Sequence, residues 1–132
     1  MAIETDLHLL TEFRRSLHQH PELSGQEQST AQSVCDFLEE NAPPDKLLTS
    51  IGGAGIIASY LGAESGPSLL LRCELDALPI QEINDIDHAS REPNTAHLCG
   101  HDGHMSILCG VALGLKDNRP KRGAVHLLFQ PA

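Results

Sequence analysis

The sequence predicts a single α/β domain with a mainly parallel sheet. Ser68 to Leu75 (SLLLRCEL) is an almost continuous apolar run, as expected for a strand buried on both faces. A helical pattern follows Asp102, and Ala124 to Phe129 (AVHLLF) reads as a second strand. Strand, crossover helix and strand form a βαβ unit, in which the two strands are parallel. Ligands of such sheets bind at the carboxyl ends of the strands.

The first part of the chain predicts two amphipathic helices. Apolar residues spaced 3, 3 and 4 positions apart place one stripe on the first helix: Leu7, Leu10, Phe13 and Leu17. Pro21 ends this pattern. A second helix is expected from about Ser29 to Glu40, where the following Pro43-Pro44 pair stops it.

The middle of the chain predicts further strands and one long irregular segment. Gly55 to Leu61 is a short β-rich run, and Gly62 to Pro67 is typical of a turn. Residues 81–98 are polar and irregular, and 116–123 form a loop. No domain boundary is evident, so residues 1–132 are interpreted as one domain.

The composition excludes several classes of partner. The formal net charge of −9 argues against nucleic acid or an anionic membrane surface, since both require clustered positive charge. No apolar stretch approaches the ~20 residues of a membrane helix, and the start of the chain does not resemble a signal peptide. A cytoplasmic location is therefore expected. The four cysteines are irregularly spaced, which favours free thiols over a disulfide framework.

The segment His97-Leu98-Cys99-Gly100-His101-Asp102-Gly103-His104 carries the strongest chemical signal. Alternate side chains of an extended backbone lie on one side, so His97, Cys99 and His101 could converge on one ion. Thiolate and imidazole ligands suit zinc and similar first-row metals. Asp102 could cap the next helix or orient a ligating histidine. Spacing alone favours a polar loop with a helix-capping Asp and histidines that form only hydrogen bonds, because no second pair of ligands is visible.

Two other segments are weaker candidates. Glu74 and Asp76 lie two residues apart at the end of a predicted strand, where carboxylates can bind a metal or steer a proton. An ion pair between Arg72 and one of these acids is the simpler interpretation. The segment His18-Gln19-His20-Pro21-Glu22 is interpreted as a helix end with histidines near the last carbonyl groups.

Four segments in this order resemble one protein family. They are FRRSLHQHPELSGQEQSTA, LLLRCELDALPI, AHLCGHDGHM and GAVHLLFQPA. The chain resembles the aminoacylase branch of the co-catalytic metallopeptidases, which includes hippurate hydrolases, bacterial N-acyl-amino-acid amidohydrolases and plant auxin-conjugate hydrolases. The resemblance implies a three-layer α/β/α zinc-exopeptidase-like catalytic domain. It also implies an inserted lid or dimerisation domain, and a pair of divalent ions such as zinc, manganese, nickel or cobalt.

The resemblance also implies roles for individual residues. Cys99 and His101 match the family's metal ligands, and Asp76 matches the acid that supports the site. Four further residues are candidates to support these ligands: Glu74, His97, Asp102 and His104. Where the family usually has Asp, this chain has Glu74, whose extra methylene could displace the carboxylate. The implied substrate is a small N-acyl amino acid or a peptide-like amide.

The family normally continues after the last predicted strand with two glutamates, one of them the general base, and this sequence ends at Ala132. We therefore expect the N-terminal part of a catalytic domain, truncated after a strand ending near Phe129, without the lid domain and inactive alone. One alternative is a non-catalytic remnant that binds metal weakly or self-associates as a homo-oligomer through an exposed sheet edge. Another is a thiol-dependent enzyme that uses Cys99.

Overall fold

The computed structural model describes residues 2–132. Within this range the chain forms three α-helices and four β-strands. In chain order they are α1 (Ala2–Gln19), α2 (Gln28–Asn41), β1 (Lys46–Ile51), β2 (Gly55–Leu61), β3 (Glu64–Glu74), α3 (His101–Asp117) and β4 (Arg122–Gln130). All three predicted helices are present. None of the helices in residues 2–132 is both long enough and apolar enough to cross a membrane.

The sheet is mixed, with the strand order β1-β2-β4-β3. The predicted βαβ unit is confirmed, because β3 and β4 pair in parallel on either side of the crossover helix α3. The other two pairs, β1 with β2 and β2 with β4, are antiparallel, so "mainly parallel" was wrong for these strands. Strand β1 was not predicted, and it accounts for one of the two antiparallel pairs. Its largely exposed residues carry no apolar run, and it forms a hairpin with β2 through Gly52 and Gly53, which have φ angles of 60° and 123°.

Strand β3 lies at the edge of the described sheet, which corrects the prediction of a strand buried on both faces. Leu69 and Leu70 point to opposite faces, and each side chain is 56% exposed. Only the end of the strand is enclosed, with Cys73 buried next to the half-buried Glu74. The apolar run therefore identified the strand correctly but not its place in the sheet.

The hydrophobic core lies between the sheet and helices α2 and α3. It contains residues from both helices and from the central strands, among them Val34, Leu38, Tyr60, Met105, Cys109 and Phe129. The Tyr60 hydroxyl donates a 2.7 Å hydrogen bond to the carbonyl of Ala42, just after α2. Burial raises the pKa of the Tyr60 hydroxyl. This packing fixes the start of α3 beside the carboxyl end of β3.

Candidate metal centre

The candidate site lies where β3 ends and α3 begins. Leu75 continues the pairing with β4, since its N–H donates to the carbonyl of Gln130 at 2.8 Å. The chain enters α3 through Gly100, whose φ of 102° is a left-handed conformation that favours glycine. This turn brings His101, the first residue of the helix, next to Asp76. The predicted convergence of the two segments at the carboxyl edge of the sheet is therefore observed.

Asp76 fixes the orientation of the His101 ring. The Nδ1 atom of His101 lies 2.8 Å from the carbonyl oxygen of Asp76 and 3.0 Å from its carboxylate oxygen Oδ1. Both partners are acceptors, so Nδ1 carries the hydrogen and Nε2 keeps its lone pair. The other carboxylate oxygen of Asp76 accepts a 2.8 Å hydrogen bond from the Ser24 hydroxyl. An acid behind the ring is the usual support for a metal-binding histidine.

Glu74, His101 and His104 each offer a ligand atom, and these atoms lie within 4.8 Å of one another. The Nε2 atom of His101 is 3.7 Å from Oε2 of Glu74, and the two histidine rings are 5.9 Å apart between centroids. Oε1 of Glu74 accepts a 2.5 Å hydrogen bond from Arg72. The ion pair between Arg72 and an acid at the end of β3, expected from the sequence, is therefore present. Two imidazoles and one carboxylate are suitable ligands for a first-row divalent cation.

Cys99 is exposed and does not belong to this group of three. Cys35, Cys73 and Cys109, by contrast, are buried, and burial raises the pKa of the Cys73 thiol to about 12. Buried thiols of this kind are inert, whereas an exposed thiol is accessible to metals. Binding of a metal by Cys99 together with His101 remains a prediction.

His97 is buried next to the site and is only 3% exposed. Neither ring nitrogen has a hydrogen-bond partner among the residues that the structure describes. Burial lowers the pKa of His97 to about 4, so the ring is neutral at pH 7. A neutral imidazole with two unpaired nitrogens remains a candidate to support the ligands, as the sequence predicted.

Asp102 contacts helix α1 and forms no hydrogen bond with the neighbouring His101 ring in the structure. Its Oδ2 atom lies 2.8 Å from Nδ1 of His18 and 3.0 Å from the guanidinium of Arg14. Burial alone would raise the pKa of Asp102, but the hydrogen bond from His18 and nearby positive charge lower it. Asp76 rather than Asp102 therefore orients the candidate metal ligand.

Sequence analysis missed a buried ion network behind the site. The Nε2 atom of His18 lies 3.1 Å from both carboxylate oxygens of Glu82, a residue not singled out in the sequence. Glu82 also accepts hydrogen bonds from the Ser90 amide at 2.7 Å and the Asn84 side chain at 2.9 Å. The helix-end interpretation holds for His20, whose ring contacts the Ser16 carbonyl, but not for His18. Glu82 lies in an irregular segment without periodicity, so only the paired histidines gave a signal.

We expect the network to make stability depend on acid pH. Burial would raise the pKa of Glu82, but hydrogen bonds from Asn84, Ser90 and His18 lower it to about 2, below its ordinary value of 4.5. Glu82 therefore stabilises the fold above pH 4.5, and this contribution is lost as the pH falls towards about 2. The free energy of unfolding, measured with urea at several pH values, should decrease as the pH falls through this range.

The matched variants are Glu82→Gln and, as a control, Glu39→Gln on the exposed side of α2. The Glu82→Gln chain should be less stable at pH 7 and should show a shallower acid decline. The control should follow the wild type. If the free energy of unfolding falls equally steeply with decreasing pH in Glu82→Gln and in the wild type, the stabilising role of this carboxylate is contradicted.

A sheet edge that combines an acid-supported histidine with a second histidine and a carboxylate is a candidate metal site in an α/β protein. Comparison with known proteins points to a particular family. Residues 70–132 match the model of peptidase family M20/M25/M40. N-acetylcysteine deacetylase of Bacillus subtilis is 40% identical over 124 residues, which are 93% of this chain and 32% of the relative. N-acyl-L-amino acid amidohydrolase of Geobacillus stearothermophilus is 40% identical over 126 residues, which are 91% of this chain and 32% of that relative.

A solved structure supports the same assignment. A Bacillus subtilis protein described as a dinuclear metal-binding peptidase of the M20 family superimposes with a TM-score of 0.90 at 39% identity. The match covers 98% of this chain and 36% of that one. These matches confirm the α/β fold class and the resemblance noted in the sequence, with the family model matching the second half of the chain. The chain spans about a third of the length of the curated relatives it matches.

Proposed function

We propose that this chain supplies part of the metal centre of an amidohydrolase that cleaves N-acyl amino acids or similar amide conjugates. The observation that carries the proposal is the His101 ring, whose Nδ1 is bound to Asp76 and whose Nε2 faces Glu74. The names of the two relatives, a deacetylase and an N-acyl amino acid amidohydrolase, support this reaction class.

The residues of the site would have different roles. Cys99 and His101 would hold a divalent ion, and Glu74 and His104 offer further ligand atoms within 4.8 Å of the one offered by His101. Asp76 would keep the His101 ring in the tautomer that leaves Nε2 free. A divalent ion bound there would polarise the scissile carbonyl and lower the pKa of water. We propose two such ions, as in the relative described as a dinuclear metal-binding peptidase, and zinc, manganese, nickel and cobalt are all compatible with these ligands.

The general base would come from outside the 132 residues. The two carboxylates at the end of β3 already have partners, since Glu74 binds Arg72 and Asp76 binds His101 and Ser24. A base must be within hydrogen-bond reach of the water it deprotonates and free to accept the proton. We therefore expect the 132-residue chain to be inactive alone.

A chimera tests the proposed reaction. Residues 1–132 replace the matching third of the Bacillus subtilis N-acetylcysteine deacetylase, and the relative supplies its own remaining two thirds. We expect the chimera to hydrolyse N-acetyl amino acids, to lose activity on treatment with a chelator and to regain it with zinc, manganese, nickel or cobalt. A folded chimera that is inactive with every one of these metals would overturn the proposal.

Self-association is a second candidate function, and the exposed edge of β3 favours it. The N–H of Leu75 points towards β4, so alternation along the strand directs the N–H groups of Ser68, Leu70 and Arg72 away from the sheet. In an antiparallel pair of β3 strands centred on Leu70, each Leu69 would face the Leu71 of the partner strand. We infer that a second copy can extend the sheet in this way.

The Leu70→Lys variant should weaken this association, because two like charges would oppose each other at the centre of the pair. We expect the dimer dissociation constant to rise by at least about tenfold, or ~1.4 kcal/mol, as measured by sedimentation velocity over a range of concentrations. Ile83→Lys is the control, since Ile83 is 92% exposed and lies outside the sheet. A wild-type chain that stays monomeric at concentrations of several hundred micromolar, about the range of weak encounters, would exclude the candidate.

A further inference from the structure

The His18 ring is held between two buried carboxylates. Its Nδ1 atom lies 2.8 Å from Asp102, and its Nε2 atom lies 3.1 Å from both oxygens of Glu82. All three side chains are at most 8% exposed, so water does not replace these contacts. A neutral imidazole has only one N–H and could donate to one acid only. Contacts of both nitrogens with carboxylates therefore favour the imidazolium form.

The two acids bracket the segment that leads to the metal centre. Between Glu82 and Asp102 the chain forms no helix or strand except the first residue of α3. Within this segment Glu82 also accepts hydrogen bonds from Asn84 and Ser90, which fold the first part back on itself. A single ring on α1 thus joins both ends of the loop that carries His97, Cys99 and His101.

The contact at Asp102 bears directly on the neighbouring ligand. Asp102 and His101 occupy the first turn of α3, and the side chain of Asp102 points to α1 while the ring of His101 points to Asp76. Arg14 binds the same Oδ2 atom of Asp102 at 3.0 Å and so adds a second attachment to α1. The orientation of the first turn of α3 is therefore fixed by the contacts of Asp102 with α1 and by the contact of His101 with Asp76.

We propose that His18 is a positioning residue of the metal centre: as an imidazolium between Glu82 and Asp102, it closes the 82–102 loop and fixes His101 against Asp76. The proposal rests on the proposed metal-binding function. It differs from a purely stabilising role because it predicts that metal binding weakens in a variant that remains folded. Residues that support metal ligands from behind typically change metal affinity by about 10- to 100-fold.

Cobalt titration of the 132-residue chain tests this, with binding followed by absorption and calorimetry at a temperature where each variant is folded by circular dichroism. His18→Gln keeps one hydrogen-bond donor but removes the charge and the second donor. We expect it to bind cobalt about 10- to 100-fold more weakly than the wild type. His20→Gln is the matched control, because His20 lies two residues away and its ring contacts the Ser16 carbonyl of the same helix, without a buried acid at either nitrogen. Wild-type affinity in folded His18→Gln would overturn the proposal.

A metal-free measurement separates this proposal from the metal-binding function. In ¹⁵N NMR spectra of the wild type, both ring nitrogens of His18 should be protonated, and the Nδ1–H of His101 should be protected from exchange. Loss of that protection in His18→Gln supports the positioning role even if the wild type binds no cobalt. Unchanged protection in a folded variant would contradict it.

A second variant covers the case in which His18→Gln does not fold. The double variant His18→Gln/Glu82→Gln removes one buried charge of each sign and leaves Asp102 paired with Arg14. We expect it to fold and still to show weaker cobalt binding and faster exchange at His101. A double variant with wild-type values for both would also overturn the proposal.

Discussion

The Cys99→Ala variant of the chimera with the Bacillus subtilis deacetylase should lose at least about 10³-fold in kcat/KM, or ~4 kcal/mol. The physical reason is that Cys99 would be a charged thiolate ligand in the proposed metal centre, and metal ions contribute several kcal/mol of charge stabilisation to such reactions. Cys99 is exposed and contributes little to the core, so the fold should be unaffected. Activity is measured with N-acetyl amino acids in the presence of excess zinc or cobalt.

Cys35→Ala provides the control for this experiment. Cys35 is a buried thiol on α2, remote in sequence from the proposed ligands, and burial raises its pKa. We expect this variant to keep near wild-type activity with a modest loss of stability. Full activity of Cys99→Ala would exclude Cys99 as a metal ligand. Inactivation by thiol alkylation in metal-free buffer, without any effect of chelators, would instead favour the thiol-dependent reaction.

Asp102→Ala should reduce the free energy of unfolding by about 3–5 kcal/mol, a large fraction of the ~5–15 kcal/mol typical of a domain. Asp102 is 3% exposed and accepts hydrogen bonds from both His18 and Arg14. Its removal leaves positive charge at the buried His18 with only Glu82 opposite, and breaking a buried ion pair is costly for this reason. Urea unfolding at pH 7 measures the change.

The control for this change is Asp117→Ala, at the exposed end of the same helix. It should alter the unfolding free energy by no more than about 0.5 kcal/mol, as is usual for surface positions. If Asp102→Ala costs no more than the control, the network around His18 does not stabilise the fold. That result would also remove the physical basis for the proposed role of His18.

The sequence predicted the elements whose local pattern is strong. Apolar spacing identified helices α1 to α3, and the apolar run before Glu74 identified β3. It did not predict β1, because Lys46–Ile51 is almost entirely exposed and has no alternation of polar and apolar residues. It also placed β3 inside the sheet, since a run of leucines does not show whether a neighbouring strand is present.

At the candidate site, too, some features were predicted from the sequence and others depend on the tertiary structure. The family resemblance implied roles for Cys99, His101 and Asp76, and the contact between Asp76 and His101 agrees with the role predicted for Asp76. The proximity of His104 and Glu74 to His101 depends on how a strand end meets a helix start, which spacing does not define. Glu82 gave no signal because its partner His18 is 64 residues away in the chain.

The sequence by itself determined the family resemblance, the helices and the residue types that can bind a metal, because these depend on patterns within short segments. Only the tertiary structure decided which acid faces which histidine. Asp76 holds His101, whereas Asp102, the neighbour of His101 in the chain, is bound to α1. The physical reason is that hydrogen bonds and ion pairs act over about 3 Å, so partners are chosen by packing rather than by separation along the chain.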